Sequence, residues 1–127
     1  MLGKVPFGAN IPVRNVEDAR RFYEGVLGAT PVRVQGAEII YRAGNTLFGT
    51  YQAESAGKAE HTLGTFSGVE DIEAIVSELR SRGVEFQDYD MPGLKTIDGI
   101  AQFGPEKVAW FRDPDGNILS IDDARWS

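Results

Sequence analysis

The fold is decided by the stretch VAWFRDPDGNILSI, which spans residues 108–121. Apolar side chains alternate on both sides of the central DPDG, so the pattern predicts two strands joined by a tight turn. Pro114 presets its own φ at about −65° and Gly116 accepts a positive φ, as such a turn requires. The return strand places one small polar residue, Ser120, among apolar neighbours.

A calcium loop is the alternative interpretation of this stretch, because Asp113, Asp115 and Asn117 fall at alternate positions. The sixth position of such a loop must be glycine and the twelfth a bidentate glutamate. Here these positions hold Ile118 and Ala124. The stretch therefore predicts a turn and no calcium site.

Composition indicates one globular domain of 127 residues, 42% of them hydrophobic. The absence of cysteine excludes disulfides and thiolate metal sites, and the single histidine, His61, restricts acid–base and metal chemistry. The net charge of −6 argues against nonspecific binding to nucleic acid or to an anionic membrane. No stretch predicts a membrane span or a secretion signal, so we expect a cytoplasmic protein.

The first half of the chain predicts a strand, a helix and three further strands. Asn15 is a good N-cap, Gly28 is a good residue just beyond a helix, and apolar side chains recur between them at helical spacing. Glycines separate the short apolar runs that follow. The predicted strands are residues 4–13, 31–34, 38–42 and 46–53.

The second half repeats this pattern after a polar linker, ESAGKAE, at residues 54–60. A helix with apolar residues on one side ends at Gly83. The stretch DYDMPGLKT, residues 88–96, predicts a loop, either a lid over a cleft or an ordinary surface loop. The other predicted strands are residues 61–68, 84–87, 97–103, 108–112 and 117–121.

The two helices begin with related words, NVEDARRF at residues 15–22 and GVEDIEAIV at residues 68–76. This weak internal repeat divides the chain into module 1, about residues 1–53, and module 2, about residues 61–127. Neither half buries a sheet face alone. We therefore expect the two modules to combine into one domain with a cleft, which is the usual place for a ligand.

Three words in this order resemble the vicinal oxygen chelate superfamily, which includes glyoxalase I, bleomycin-resistance proteins, fosfomycin-resistance enzymes and extradiol dioxygenases. They are NVEDARRFYEGVLGATPV, VEDIEAIVSELRSRGVEF and WFRDPDGNILSI. The resemblance covers nearly the whole chain. It implies an α+β fold in which paired βαβββ modules form a curved, cleft-bearing mixed sheet with the helices outside, and it implies a homodimer.

The resemblance also implies a divalent metal held by histidine and glutamate, but the ligand positions carry other residues here. Carried over one by one, they fall on Gly8, Phe48, Gly64 and Ser120, none of which binds a divalent cation well. A second alignment of the two VED words pairs Gly8 with His61 instead. We therefore expect no metal cofactor, with a divalent ion completed by unanticipated ligands as the alternative.

Metal-free relatives imply a cleft in which aromatic side chains hold a flat ligand and a few polar groups orient it. Trp110 and Phe66 are the aromatic residues we most expect in that cleft. Core packing between sheet and helix is the competing interpretation for each aromatic candidate. The predicted ligand-binding residues are Asn10, Tyr41, Phe48, Thr50, Phe66, Trp110 and Ser120.

The predicted function is metal-independent binding of a small organic molecule, aromatic or antibiotic-like, in the manner of bleomycin-resistance proteins. The alternative is a glyoxalase-like lyase, isomerase or dioxygenase. A third hypothesis is a metal-free acid–base enzyme, for which the weak catalytic candidates are Tyr89, Lys95 and Asp98. Lys95 and Asp98 lie three residues apart, close enough to form a salt bridge.

Overall fold

The structure is a computed structural model that describes residues 1–125. The first helix, α1, is α-helical over Val16–Arg20 and continues as a π-helix over Arg21–Val26, and we use α1 for both parts. The second helix is α2 (Ile72–Ser81), and a short 3-10 helix covers Leu2–Lys4. The strands are β1 (Asn10–Val13), β2 (Thr30–Gln35), β3 (Glu38–Ala43), β4 (Thr46–Gln52), β5 (Thr62–Phe66), β6 (Asp90–Met91), β7 (Leu94–Ile97), β8 (Ile100–Phe103), β9 (Glu106–Arg112) and β10 (Ile118–Asp122).

The strands form two sheets with the same internal order. The first is β1-β4-β3-β2 and the second is β5-β10-β9-β8-β7-β6. In each module the first strand runs parallel to the last, β1 with β4 and β5 with β10, and the other neighbours are antiparallel. The α+β class and the paired βαβββ modules are therefore confirmed, with β6 and β7 added at one edge.

Helix α1 begins at Asn15, the cap that the sequence predicts, and α2 begins at Asp71, for which no cap was predicted. The side chain of Asn15 accepts a hydrogen bond from the amide of Asp18 at 3.0 Å, and Asp71 accepts one from the amide of Ala74 at 3.0 Å. Each bond satisfies one of the amides that a helix start leaves without a partner. Asp71 ends the second VED word, whereas Asn15 precedes the first, so the second helix starts three residues later relative to its VED word than the first does.

One hydrophobic core joins the two modules. The ring of Phe22 on α1 lies 5.4 Å from Tyr23 and 6.2 Å from Phe111 on β9, centroid to centroid. Helix α2 packs against the same strand and buries Val76 in this core. Each sheet therefore has a helix-covered face turned toward the shared core. The other face of each sheet carries no helix, and we call it the open face.

The first predicted strand begins six residues later than expected. Only Asn10–Val13 forms a ladder, with β4, while Val5 and Phe7 are 59% and 101% exposed. Pro6 has no amide hydrogen to give to a ladder, which disfavours a longer strand. The prediction of a strand over residues 4–13 is thus wrong for its first half.

Residues 84–87 do not form the predicted strand. Phe86 makes a single bridge to Phe111, and the amide of Gln87 donates to the carbonyl of Trp110 at 2.8 Å. Strand β8 already pairs with Glu106 to Ala109 of β9, so only the last residues of that edge of β9 are left for residues 84–87.

The stretch 88–96 is a β-hairpin rather than a loop, although Pro92 and Gly93 do form its turn. Strand β7 then turns into β8 through Asp98 and Gly99, whose φ angles are 53° and 80°. Two positive φ angles in a two-residue connection are typical of a type I′ turn, for which Asp-Gly is a strong signal.

Within the described residues, no helix is long and apolar enough to cross a membrane.

Candidate functional site

A cleft with a volume of about 620 Å³ lies at the seam between the two modules. One wall comes from the N-terminal stretch before β1 and from the β3–β4 turn. The other comes from β5 and from the segment that follows β10. Strands β1 and β5 are edge strands of their sheets, so the cleft opens where neither sheet continues.

Two aromatic residues predicted from the sequence come together in this cleft. The rings of Phe48 on β4 and Phe66 on β5 are 6.3 Å apart and perpendicular, and both residues line the cleft half-buried. Phe48 also lies 5.8 Å from Tyr23 of α1, which holds it from behind. This edge-to-face contact is a favoured aromatic geometry and leaves apolar surface from both modules facing the cleft.

The polar groups of the lining are mostly hydroxyls. Thr65 on β5 lines the cleft, and its Oγ1 lies 2.7 Å from Oγ of Ser120, which is buried behind it. Thr46 and Ser67 also line the cleft. Arg125 is the one charged residue among the described residues of the lining, and no aspartate or glutamate is among them.

The four metal-ligand positions implied by the resemblance do not fit a divalent cation. Gly8 and Gly64 line the cleft, but a Cβ at Gly8 would lie 2.9 Å from the carbonyl oxygen of Leu47, so a histidine there would collide with backbone. The hydroxyl of Ser120 is already paired with Thr65. Within residues 1–125, no three histidine, aspartate or glutamate side chains lie together where they would hold a metal.

Phe48 differs from Ser120, the other last-strand position, because it lies on the helix-covered face. It pairs with Tyr41 across the β3–β4 ladder, and both rings contact Tyr23 of α1. Ser120 pairs with Trp110, between the core residues Ala109 and Phe111, and therefore lies on the open face. The two last-strand positions thus lie on opposite faces of their sheets and could not hold one ion between them in the same way.

Tyr41 and Thr50 are core residues with 0% and 1% exposure, so in this structure they offer a ligand no surface. The hydroxyl of Tyr41 donates to Oε2 of Glu24 at 2.9 Å. Burial, and next the Glu24 carboxylate, raise the pKa of Tyr41 above its ordinary value. Its phenol is therefore a hydrogen-bond donor and not a base.

Tyr23 reaches the cleft wall, yet its hydroxyl points into the core and donates to Oδ2 of Asp113 at 2.8 Å. Burial is the main cause that raises the pKa of Tyr23, and the Asp113 carboxylate raises it further. The phenol thus stays protonated and serves the structure rather than proton transfer.

Asn10 and Trp110 lie outside this cleft. Trp110 is half-buried on the open face of the second sheet, with Tyr89 at 5.5 Å and Phe103 at 6.4 Å, both perpendicular to it. Asn10 is exposed on β1, where its Oδ1 lies 2.9 Å from the position a Cβ would take at Gly49. The open face therefore carries a second aromatic surface, separate from the cleft.

The three catalytic candidates lie on the added hairpin or beside it, and none lines the cleft. Tyr89 contacts Trp110, Lys95 is exposed on β7, and Asp98 turns the chain into β8. The carbonyl of Asp98 accepts a hydrogen bond from Arg80 at 2.8 Å. Within the described chain, Lys95 and Asp98 do not form the expected ion pair.

His61 is exposed at the start of β5, with Nδ1 3.1 Å from the carbonyl oxygen of Thr62. Phe7, Leu47 and Arg125 are lining residues that the sequence did not indicate. Phe7 precedes its strand and Arg125 follows the last one, so neither has a periodic pattern to mark it. Leu47 alternates along β4 like any strand residue.

Comparison with solved structures shows the same fold in several bacterial proteins. A glyoxalase family protein from Enterococcus faecalis is 21% identical, with a TM-score of 0.70, covering 96% of this chain and 99% of its own. The fosfomycin resistance protein FosX from Mesorhizobium loti is 17% identical, with a TM-score of 0.68 and coverages of 97% and 94%.

FosX from Listeria monocytogenes, solved with Mn(II) and 1S,2S-dihydroxypropylphosphonic acid, is 12% identical, with a TM-score of 0.72 and coverages of 97% and 92%. At these identities the likeness shows the fold alone. No curated protein sequence matched the chain. A sequence model of the Glyoxalase/Bleomycin resistance protein/Dioxygenase superfamily matches residues 8–121, which is most of the chain. The chain therefore belongs to the glyoxalase/bleomycin resistance protein/dioxygenase superfamily.

Proposed function

We propose that this chain binds a small organic molecule in the cleft between its modules without a metal held by the protein. The observation that carries this proposal is the Phe48–Phe66 contact, which brings one aromatic ring from each module into the lining of the cleft. A volume of about 620 Å³ falls within the range typical of small-molecule sites.

The chemistry of the lining supports binding rather than turnover. Apart from the Asn45 amide and the Arg125 guanidinium, the described lining side chains are aromatic, aliphatic or hydroxylic, and none is a histidine, a carboxylate or a lysine. General acid–base catalysis needs a group that gains or loses a proton near the working pH. The candidates Tyr89, Lys95 and Asp98 are elsewhere, so the acid–base hypothesis finds no support in this cleft.

We also propose that the chain forms a homodimer. The support is a set of exposed apolar side chains near the added hairpin of the second sheet, where Met91, Ile97 and Phe103 are 52%, 72% and 44% exposed. Exposed apolar patches of this kind often mark protein interfaces. Light scattering of the wild type and of Ile97→Lys tests this, because the variant should shift the chain toward monomer, and an unchanged mass would contradict the proposal.

The test of cleft binding is an NMR titration with a panel of aromatic fragments in excess chelator. Phe66→Leu keeps an apolar side chain at this lining position but removes the ring. It should therefore weaken binding about tenfold, equivalent to about 1.4 kcal/mol. Phe103→Leu is the matched control, since Phe103 contacts Trp110 on the open face and does not line the cleft.

Unchanged affinity in Phe103→Leu together with the loss in Phe66→Leu supports the cleft. The reverse pattern would place the ligand on the open face and overturn the proposal. Circular dichroism of both variants shows whether the fold is intact.

A further inference from the structure

We infer that the ligand of this cleft carries an anionic group that Arg125 binds, attached to an apolar, aromatic body. This inference rests on the proposed function and names the chemical class of its ligand. The chain has 19 acidic and 13 basic residues, yet among the described residues of the lining there is one arginine and no carboxylate.

The position of Arg125 is set by the segment that leaves β10. The amide of Val69 donates to the carbonyl of Asp122 at 3.0 Å, and the amide of Ala124 donates to Oδ1 of Asp122 at 3.2 Å. These bonds tie the exit of β5 to the exit of β10. Ala124 consequently lies beside Gly68, and Arg125 follows it at the mouth of the cleft.

Arg125 differs from Arg20 and Arg82, whose guanidinium groups form ion pairs within the fold. Arg20 is paired with Glu24 at 2.7 Å, and Arg82 with Glu78 at 3.0 Å. Within residues 1–125, the exposed guanidinium of Arg125 has neither a hydrogen-bond acceptor nor a carboxylate partner. Among residues 1–125, therefore, no group competes with a ligand for its donors.

Guanidinium binds carboxylate and phosphonate groups with two parallel hydrogen bonds. The aromatic surface of Phe48 and Phe66 lies in the same cleft and suits a flat apolar body. Thr65 and Ser67 add neutral hydroxyls that donate to an oxyanion as readily as to a neutral group. Because none of the described lining residues is a carboxylate, an anionic ligand should be preferred over its neutral and cationic analogues.

Three matched probes test this preference: 2-naphthoate, 2-naphthamide and 2-naphthylmethylammonium, titrated into the full chain in excess chelator and followed by NMR. We expect naphthoate to bind about tenfold more tightly than the amide, and the ammonium to bind most weakly. Arg125→Gln should lower the affinity for naphthoate to that for the amide and leave the amide unaffected. Arg33→Gln, which removes the same charge from β2 outside the lining, should change neither.

Two outcomes separate this inference from the proposed function. If naphthoate and naphthamide bind equally and Arg125→Gln changes neither, while Phe66→Leu weakens both, cleft binding stands and the anionic preference is overturned. If none of the probes binds, both are overturned. A further titration with 2-naphthylphosphonate distinguishes the two oxyanions, since the one that binds more tightly identifies the head group.

Discussion

The β3–β4 and β9–β10 hairpins occupy equivalent places in the two modules but differ at their turns. The first turn, Gly44 and Asn45, is exposed and lines the cleft. In the second turn, Asp113 and Asn117 are 5% and 1% exposed. One fold element therefore serves as an open wall in module 1 and as a buried joint in module 2.

The buried joint is a polar network that crosses the module boundary. Asn117 donates to the carbonyl of Pro12 at 2.7 Å and to Asp113 at 2.8 Å, and it accepts from the amide of Gly57 at 3.0 Å. Asp113 also accepts from Tyr23 of α1. The buried side-chain groups of Asp113 and Asn117 all have partners, whereas Oδ2 of Asp115 in the same turn is buried without one among the described residues. Satisfied buried polar groups specify one arrangement, so Asp113 and Asn117 fix how module 1 and the linker sit on module 2.

The central side-chain pairs of the two hairpins also differ. Tyr41 and Phe48 pair on the helix-covered face, whereas Trp110 and Ser120 pair on the open face. A register shift of one residue moves a strand's whole side-chain set to the other face. Equivalent elements can thus present their aromatics to the core in one module and to the surface in the other.

Gly57→Ala should break the joint most severely. A Cβ at Gly57 would lie 1.8 Å from the carbonyl oxygen of Asp115, and the φ angle there is +77°. We expect a loss of at least about 3 kcal/mol in the free energy of unfolding, measured by urea denaturation. Gly44→Ala is the control, because Gly44 has a φ of +57° but nothing within 4 Å, so it should cost about 1 kcal/mol. If the two variants lost the same free energy of unfolding, the close contact between Gly57 and the second turn would not be a structural constraint.

Asn117→Ala should destabilise the fold by about 2–3 kcal/mol, because it leaves the Pro12 carbonyl and the Gly57 amide without their buried partner. Asn45→Ala is the matched change in the exposed turn and should stay within about 0.5 kcal/mol. Urea denaturation of both variants measures the difference. A loss in Asn45→Ala as large as in Asn117→Ala would show that the two turns do not differ.

Local signals made much of the fold predictable. The caps Asn15 and Asp71, the turn at residues 113–116 and the repeat of the two modules each depend on residues close in sequence. The turn between β7 and β8 also carries a local signal, the Asp-Gly pair at residues 98–99.

The candidate site was less predictable because it depends on contacts between distant residues. Phe48 and Phe66 were both predicted ligand-binding residues, and the structure brings them together, but nothing in the sequence indicates which face Phe48 occupies. Tyr41 and Trp110 both lie at the centre of a strand. Tyr41 faces the helix-covered side of its sheet, whereas Trp110 faces the open side. Arg125 lies outside every periodic element, so no pattern marks it.

Tyr23→Phe should cost about 1.5–3 kcal/mol, since it removes a buried hydrogen bond to a carboxylate. Tyr41→Phe removes a hydrogen bond to Glu24, whose carboxylate keeps Arg20 as its partner, and should cost about 0.5–1.5 kcal/mol. Thermal and urea unfolding of the two variants compare the joint with the helix-covered face of module 1. If Tyr23→Phe lost less free energy of unfolding than Tyr41→Phe, the Tyr41–Glu24 hydrogen bond would stabilise the fold more than the bond from Tyr23 to the buried turn.

The smallest expected effect is a pH dependence in module 1. The hydrogen bond from Arg20, with that from Tyr41, holds the pKa of Glu24 below its ordinary value of 4.5, although partial burial opposes this. A lowered pKa in the folded state adds stability above pH 4.5, and this stability is lost as the pH falls through the folded value.

Glu24→Gln should therefore lower stability at neutral pH and lose less of it on acidification than the wild type. Urea denaturation at a series of pH values measures both effects. Glu85→Gln, at an exposed position on no strand or helix, is the charge-matched control. Parallel acid curves for the wild type and Glu24→Gln would contradict the role given to this carboxylate.

The most direct test of metal-independent binding in the cleft is a titration of 2-naphthoate into protein whose metal content has been measured by plasma mass spectrometry, with and without excess chelator. We predict saturable binding that survives chelation, with chemical-shift changes centred on Phe48 and Phe66. Binding that disappears in chelator and returns with stoichiometric manganese, zinc or iron would contradict the account, because it would show that a metal completes the site.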